Sequence, residues 1–544
     1  MNSEIDTKNQ TTIRKKNLPN KPPKPPEKSG GWFAKFLAFV EWLGNLLPHP
    51  VTLFALFCLF VILFSGFAEW LGISAQDPRP EGGGRVEGGV IEVVSLFSAE
   101  GLRRIVTGLV TNFTGFAPLG TVLVALLGVS VAEHSGLLSA GMRSMVMGAS
   151  KRMVTLAIVF AGVVSNTASE LGYVVLIPLA AMIFHSLGRH PLAGLAAAFA
   201  GVSAGYSANL FLGTVDPLLS GITEEAARLI DPTYEVGPEV NWFFMLVSTF
   251  LVAILGTFVT EKIVEPRLGT YDDSEASVDL GEQKIEGVTE QERRGLKMAG
   301  LSFLVLCVLL ALTIVPEWGI LRHQETGEVA GSPFLKGIVV FIFITFAIPG
   351  FVYGKVVGTM KNDRDVIDAM SKSMGTMGLY IVLVFFAAQF VAFFKWSNLG
   401  TVMAIKGSIF IQSMGLDGPI IFLFFIILCG MVNLSLGSAS AQWAVTAPIF
   451  VPMLMLVGYA PETIQAAYRI GDSVTNVITP MMSYFGLILA MACRYKKDLG
   501  IGTLIATMLP YNIVFFVGWT LLFYLWVFVF HLPVGPGAAT YYNP

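Results

Sequence analysis

The chain has 544 residues, 54% of them hydrophobic and only 13% charged. A soluble domain carries about 25% charge, so this composition excludes one and predicts a polytopic membrane protein. A formal net charge of −3, with no basic stripe interleaved with aromatics, excludes a nucleic-acid role, and no Walker A, GxSxG or HExxH pattern supports ATP hydrolysis, serine-hydrolase or zinc-protease chemistry.

Residues 1–31 are rich in Pro and Lys and predict a disordered cytoplasmic tail. Residues 32–47, with Trp32 and Trp42, read as an amphipathic helix lying in the membrane interface. A spanning helix needs about 20 mostly apolar residues. Nine stretches qualify: 50–71, 105–133, 191–213, 241–263, 296–316, 335–355, 374–394, 462–492 and 503–530. Two more, 153–187 and 418–458, are too long for one helix and are interrupted halfway. The interruptions are Ser165-Asn166-Thr167-Ala168-Ser169-Glu170 and Asn433-Leu434-Ser435-Leu436-Gly437-Ser438-Ala439-Ser440. A helix pair that turns back at its polar tip explains both features. Non-helical backbone at membrane depth persists only where protein or a wet cavity satisfies it. The predicted fold class is an all-α polytopic membrane protein of inverted repeats, with about nine transmembrane helices, two re-entrant helical hairpins and broken helices. A first half spans 32–263 and holds hairpin 153–187; a cytoplasmic loop follows at 264–295 and linking scaffold helices at 296–372. The second half covers 373–530 with hairpin 418–458, and a C-terminal tail occupies 531–544. Cys58, Cys307, Cys429 and Cys493 lie in or beside apolar runs and read as small buried hydrophobes.

Loop charges orient the spans. Lys151/Arg152, Arg189, Lys262 with Arg267, Lys355/Lys361 and Arg494/Lys496/Lys497 mark cytoplasmic ends, predicting a cytoplasmic N-terminus and a periplasmic C-terminus in a bacterial inner membrane. Arg103/Arg104 and Lys395/Lys406 are the misfits. The first hairpin then enters from the cytoplasm and the second from outside. Asn166 and Asn209 are 43 residues apart (209 − 166), and so are Asn433 and Asn476 (476 − 433). Each hairpin is followed by a span with a polar break, Gly205–Asn209 and Gly471–Asn476. Paired, interrupted apolar segments in two inverted halves point to the midplane site of a secondary transporter. The competing reading is chance similarity between helices rich in small packing residues.

The segment Tyr468–Pro480 sets Arg469, Asp472 and Asn476 inside an otherwise apolar run. A charge at bilayer depth costs at least ~2.5–3.5 kcal/mol and persists where it faces a polar cavity or a partner. Three residues apart, Arg469 and Asp472 are neighbours on a continuous helix, and one reading is a structural ion pair between them. The functional reading separates them: Asp472 offers a carboxylate for Na⁺ or a proton, and Arg469 a planar fork for a substrate carboxylate. Pro480 ends the helix or frees carbonyls beyond the break. Asn433 and Asn476 supply amide oxygens of the kind a hard cation takes. Ser165, Asn166, Thr167 and Asn209 form the symmetry-related candidate. Capping of the hairpin turns is the plainer role for these side chains and is compatible with coordination. Asp216 precedes Pro217 and reads either as a turn Asp at the outer surface or as part of an ion relay. Trp443 is either a packed core indole or a platform for an aryl ring, and Ser438 and Ser440 are placed to bond a polar ligand group. Glu170, beside the first tip, is a weak candidate for gating; Glu133-His134 reads as a cytoplasmic helix end.

Several segments resemble the aminobenzoyl-glutamate transporter (AbgT) family: Glu41–Pro50, Asn112–Gly120, Ser165–Ile177, Gly201–Pro217, Gly437–Ala444 and Ala466–Pro480. The resemblance implies a fold similar to the divalent-anion:sodium symporters and a homodimer with an inner transport core and an outer scaffold. It marks Asp216, Asn433, Ser440, Trp443, Pro461, Arg469, Asp472 and Pro480 as functional, and it favours substrate contact for Trp443. It further implies ion-coupled (Na⁺ or H⁺), alternating-access transport of p-aminobenzoyl-glutamate-like aromatic carboxylates, with no cofactor beyond the coupling ion. The alternative within the class is proton-driven efflux of sulfonamide antimetabolites. An ion channel is the alternative of another class, since re-entrant loops also build selectivity filters; an intramembrane enzyme lacks any nucleophile–base or metal-ligand pattern.

Overall fold

The structure is a computed structural model and describes residues 48–79, 85–86, 88–168, 171–277, 287–329, 331–497 and 499–543. The expectations for 1–31, for 32–47 and for Glu170 lie outside these residues. Among the described residues the chain is almost wholly helical, with a single antiparallel ribbon of β1 (Ser74–Gln76) and β2 (Val90–Glu92), Ala75 facing Ile91.

Helix α1 (Pro50–Trp70) opens on a proline that is pre-set for the first turn. After the ribbon come α2 (Ala99–Thr114) and α3 (Ala117–His134), one apolar stretch kinked at Gly115-Phe116 by Pro118. Helix α4 (Leu137–Met147) leads to the first hairpin. There α5 (Val154–Ser165) ends in a 3₁₀ turn at Asn166–Ala168, and a π turn at Gly172–Leu176 feeds α6 (Ile177–Ser186). Next, α7 (Pro191–Phe199) loosens through a π turn at Ala200–Ala204 and unwinds before α8 (Val215–Ala227). Helix α9 (Trp242–Val259) ends the half.

The link is α10 (Glu290–Ile314), α11 (Ile338–Val357) and α12 (Asp363–Thr376). Thr289 and Glu292 form a reciprocal capping box at the start of α10. Small residues let α3 and α11 touch backbone to backbone: a Cβ on Gly128 would stand 2.4 Å from the Phe343 carbonyl, and one on Gly350 2.6 Å from the Ala132 amide. Such close approach drives helix association in lipid, where apolar burial contributes little.

The second half contains α13 (Gly378–Trp396), α14 (Leu399–Ser413), and the hairpin arms α15 (Ile421–Leu436) and α16 (Ala439–Val457). It continues with α17 (Pro461–Thr475), a 3₁₀ turn at Asn476–Ile478, α18 (Phe485–Tyr495) and α19 (Ile501–Tyr524). Among the described residues eight helices are long and apolar enough to cross a membrane, the second hairpin's arm α16 being one of them. The stretches 191–213 and 462–492 are broken helices, as their polar interruptions predict, and the side chains of Ser473 and Asn476 in the second break bond the backbone of Ser207 and Ser203 in the first across the molecule's centre.

The turn of the second hairpin depends on Gly437. Its φ of +57° is left-handed, and a Cβ there would lie 2.9 Å from the Met481 carbonyl oxygen, so the tip rests on the break of the following helix. Where α15 crosses α17, a Cβ on Gly471 would lie 2.4 Å from the Ile426 oxygen, while Gly486 in α18 has nothing within 4 Å. Gly471→Ala should therefore destabilise by about 1–3 kcal/mol through overpacking, whereas Gly486→Ala should stabilise by up to about 1 kcal/mol. Thermal unfolding of the two variants in one detergent checks the contrast.

Two segments that read as loop and tail are fastened to the ends of the second broken helix. In 264–295, Tyr271 donates to the Tyr495 carbonyl at 2.7 Å and the Ser277 amide to the Arg494 carbonyl at 3.0 Å, while Asp273 sits 2.8 Å from His185 at the end of the first hairpin. In 531–543, the tail lies across the start of α17: the Ala460 amide donates to Thr540 O at 3.1 Å and the Tyr542 amide to Gly458 O at 2.9 Å.

Candidate functional site

The two breaks interlock at the centre of the molecule. The Ser207 amide donates to Ser473 Oγ at 3.1 Å, and Asn476 Nδ2 donates to the Ser203 carbonyl at 3.3 Å. The halves repeat one further contact. Asn166 Nδ2 donates to the carbonyl of Gly205 at 3.3 Å, and Asn433 Nδ2 to that of Asp472 at 2.8 Å, each reaching 39 residues onward. Hairpin tip and broken helix thus meet in the same way twice, and the 43-residue spacing between asparagines brings Asn433 Nδ2 within 2.7 Å of Asn476 Oδ1.

Asn166, Asn209 and Asn433 spend their N–H groups on the structure and leave their amide oxygens free, whereas Asn476 Oδ1, expected as a cation ligand, is taken by Asn433. Asn166 Oδ1, Thr167 Oγ1, Ser207 Oγ and Asn209 Oδ1 are buried without a hydrogen-bond partner in the first half, as are Asn433 Oδ1 and Asp472 Oδ2 in the second. Buried polar atoms in a folded protein are almost always paired. Orphaned oxygens gather where the two hairpin tips meet the broken helices, and those of Asn166, Asn209, Asn433 and Asp472 are carbonyl or carboxylate oxygens suited to a hard cation that takes oxygen ligands; Arg469 Nε is also unpaired. Ser165 is satisfied within its own helix, donating to Gly162 O at 2.6 Å.

Arg469 does not pair with Asp472. Its Nη1 meets Asp216 Oδ1 at 2.8 Å and its Nη2 donates to the Ser207 carbonyl at 2.8 Å, with both side chains 1% exposed. Asp216 is accordingly not a turn residue at the outer surface. It lies in the first turn of α8, deep in the core, where Asn209 Nδ2 (2.6 Å) and the Gly213 amide (2.8 Å) also donate to it. The reason lies in topology: α17 crosses α8, so the arginine's long side chain reaches the opposite half, while Asp472 turns toward Tyr468, whose hydroxyl is 3.4 Å away. The guanidinium fork offered to a substrate is therefore engaged within the protein in this arrangement.

Trp443 is fully buried. Tyr468 stacks on it, with ring centroids 4.1 Å apart at 22°, and its Nε1 donates to Thr223 Oγ1 at 2.9 Å. One face of the indole is thus occupied by Tyr468. Ser438 and Ser440 are half-buried at the start of α16, their hydroxyls 3.5 Å apart; Ser438 stands at the N-cap without making a cap bond. Pro461 forms the first turn of α17, two helical turns from Arg469, and Pro480 lies beyond the 3₁₀ turn, after the helix has already ended at Thr475.

Sequence reasoning passed over Tyr468, Gln442, Gln465, Thr223 and Asn241. Thr223 donates to Gln465 Oε1 at 2.5 Å, and Gln465 Nε2 to Asn241 Oδ1 at 2.8 Å. Gln442 Nε2 donates to Cys429 O at 2.7 Å and leaves Oε1 unpaired. A signal was available for one of them: Glu462, Gln465, Arg469 and Asp472 recur at helical spacing and share one face of α17.

A polytopic helical protein in which two inverted hairpins and two broken helices enclose paired polar nests has the build of a secondary transporter. The comparisons are specific. Residues 35–542 match the "AbgT putative transporter family", and the chain belongs to this family. It is 38% identical over 503 residues to the p-aminobenzoyl-glutamate transport protein of Escherichia coli (strain K12), covering 92% of this chain and 96% of that protein. Among solved structures, Neisseria gonorrhoeae MtrF, whose structure is described as illuminating a class of antimetabolite efflux pumps, superposes with a TM-score of 0.88. It is 62% identical and covers 93% of this chain and 100% of its own. The Alcanivorax borkumensis YdaH transporter, described as having an unusual topology, gives a TM-score of 0.83 at 45% identity, covering 90% and 100%.

Proposed function

We propose that this transporter carries p-aminobenzoyl-glutamate-like aromatic carboxylates by alternating access, coupled to Na⁺ at the two hairpin nests. The observation that carries the reading is the set of orphaned oxygens at Asn166, Thr167, Asn209, Asn433 and Asp472. Na⁺ is cargo here and takes these oxygens as ligands. A ligand can shift the balance between two facing states only through differential affinity. Filling the nests would change how tightly each tip is held to its broken helix, which is how ion binding would bias the carrier. The half-buried start of α16, with the hydroxyls of Ser438 and Ser440, suits a substrate carboxylate, because helix amide N–H groups converge there. Trp443 and Tyr468 lie in the next turn and across from it, as the aromatic wall for the aryl ring.

A second reading is proton-driven efflux of sulfonamides, which share the aminobenzoyl-like ring; the likeness to MtrF favours it, with Asp472 as the proton carrier. We place the chain in the bacterial inner membrane, N-terminus cytoplasmic and C-terminus periplasmic, on its loop charges. We also propose a homodimer, the assembly that the resemblance implies; the largely uncovered apolar face of α10 is where lipid or a second copy would pack.

Counterflow tests the substrate reading. Proteoliposomes preloaded with unlabelled p-aminobenzoyl-glutamate should take up labelled solute transiently and saturably, with competition from a sulfonamide. Linear, unsaturable flux without trans-stimulation would replace the carrier by a channel.

A further inference from the structure

Glu462 is a buried carboxylate that neither nest uses. It stands in the first turn of α17, 5% exposed, on the stripe that continues to Gln465, Arg469 and Asp472. Among the described residues its side chain has one recorded partner, the hydroxyl of Tyr234, at 3.1 Å from Oε1 and 3.0 Å from Oε2. Among the described residues the groups around it offer no free cation. Arg228, at the C-cap of α8, is committed to Glu224 at 2.8 Å and to the Tyr234 carbonyl at 3.1 Å. Arg79 is held by Asp77, with Nε 2.9 Å from Oδ1 and Nη2 2.7 Å from Oδ2. From the tail, Tyr542 packs edge-on against Tyr234 at 5.9 Å, and Tyr541 lies against Tyr459 at 5.8 Å. Asp231 and Glu239 add only further acids to the same loop. An isolated carboxylate in such a place is costly when ionised.

The lid over Glu462 is thin. The tail crosses the start of α17 by the Ala460–Thr540 and Tyr542–Gly458 backbone bonds, with Thr463 Oγ1 donating to Ala539 O at 3.2 Å. On the inner side, the Asn241 amide fixes the Glu462 carbonyl at 2.8 Å and passes through Gln465 to Thr223 and Trp443. Lifting the tail would give the carboxylate water, while the opposite end of the same polar chain touches the aromatic wall.

We propose that Glu462 is a proton-binding site, neutral while the C-terminal strap is closed over the start of the site helix and ionised when the strap lifts. Proton release and opening of this face are then one event: a rise in pH favours the lifted strap, and protonation seals it. The inference does not rest on the substrate or on Na⁺, and its test uses neither.

The test is thiol accessibility beneath the strap. Thr463→Cys is introduced into the full chain in nanodiscs, where both faces meet the same buffer, and the maleimide labelling rate is followed against pH. The same chain without Thr463→Cys gives the contribution of the four native thiols. Below the thiol's own pKa, ionisation raises both rates by the same factor per pH unit, so the readout is the change with pH of the ratio between Thr463→Cys alone and Thr463→Cys with Glu462→Gln. That ratio should climb with pH by up to about tenfold per unit, the limit for one proton. Burial pushes the Glu239 carboxyl up to about 7, so Glu239→Gln is the control and should leave the climb in place. Tyr234→Phe removes the side-chain donor to the ionised closed form and should enlarge the climb; it keeps the test available should Glu462→Gln fail to fold. A flat ratio, or a climb unchanged by Tyr234→Phe, overturns the proposal.

Discussion

Arg469→Met should abolish transport and cost the fold about 3–5 kcal/mol, the usual consequence of leaving one partner of a buried pair uncompensated. The pair it breaks is 1% exposed on both sides, and Asp216 would retain only the Asn209 and Gly213 donors. The converse is as informative. Arg469→Met combined with Asp216→Leu removes both charges, and apolar replacement of a whole buried pair is often neutral or stabilising by about 1–4 kcal/mol. The double variant should therefore unfold near the temperature of the parent while remaining inactive. Recovery of stability without recovery of flux separates the two roles of the pair. A double variant as unstable as Arg469→Met alone would show that the arginine's bond to the Ser207 carbonyl, which locks the two breaks together, is the larger contribution.

Asp472→Asn should uncouple the carrier without emptying it. Asp472 Oδ2 is a buried, unpaired oxygen, and the Asn433 amide N–H groups already go to the Asp472 carbonyl, Thr475 Oγ1 and Asn476 Oδ1. The amide that replaces it keeps the shape and removes the charge. Counterflow of p-aminobenzoyl-glutamate should persist within a few-fold, since Trp443, Tyr468 and the start of α16 are untouched, whereas the dependence of its rate on Na⁺ should fall to what the intact Asn166 nest supplies. Retention of the parent's Na⁺ dependence would remove Asp472 from the coupling site.

The plan of the molecule was legible where it is local. Two polar clusters inside over-long apolar runs, each followed 43 residues later by a second asparagine, mark the hairpins and the broken helices, because a helix in lipid cannot be interrupted without leaving that trace in composition. Pairing between halves leaves no such trace. Asp216 and Arg469 are separated by 253 residues. Spacing suggested Asp472 as the partner, three residues away, whereas the crossing of α17 over α8 decides otherwise. Tyr468 stood in the polar segment itself, yet its stacking on Trp443 depends on the second hairpin arm lying across α17. The kink at Gly115-Phe116 and the return of the C-terminal strap onto Gly458–Thr463 are made by proline placement and backbone bonds, which periodicity does not register.

Ion-driven accumulation tests the account most directly. Proteoliposomes carrying the full chain and labelled p-aminobenzoyl-glutamate are given an inward Na⁺ gradient at equal pH, then a pH gradient at equal Na⁺. The account predicts that the Na⁺ gradient drives solute away from its equilibrium distribution and that collapsing it with an ionophore returns the solute to balance. Equilibration at one rate, whichever gradient is applied, would contradict it.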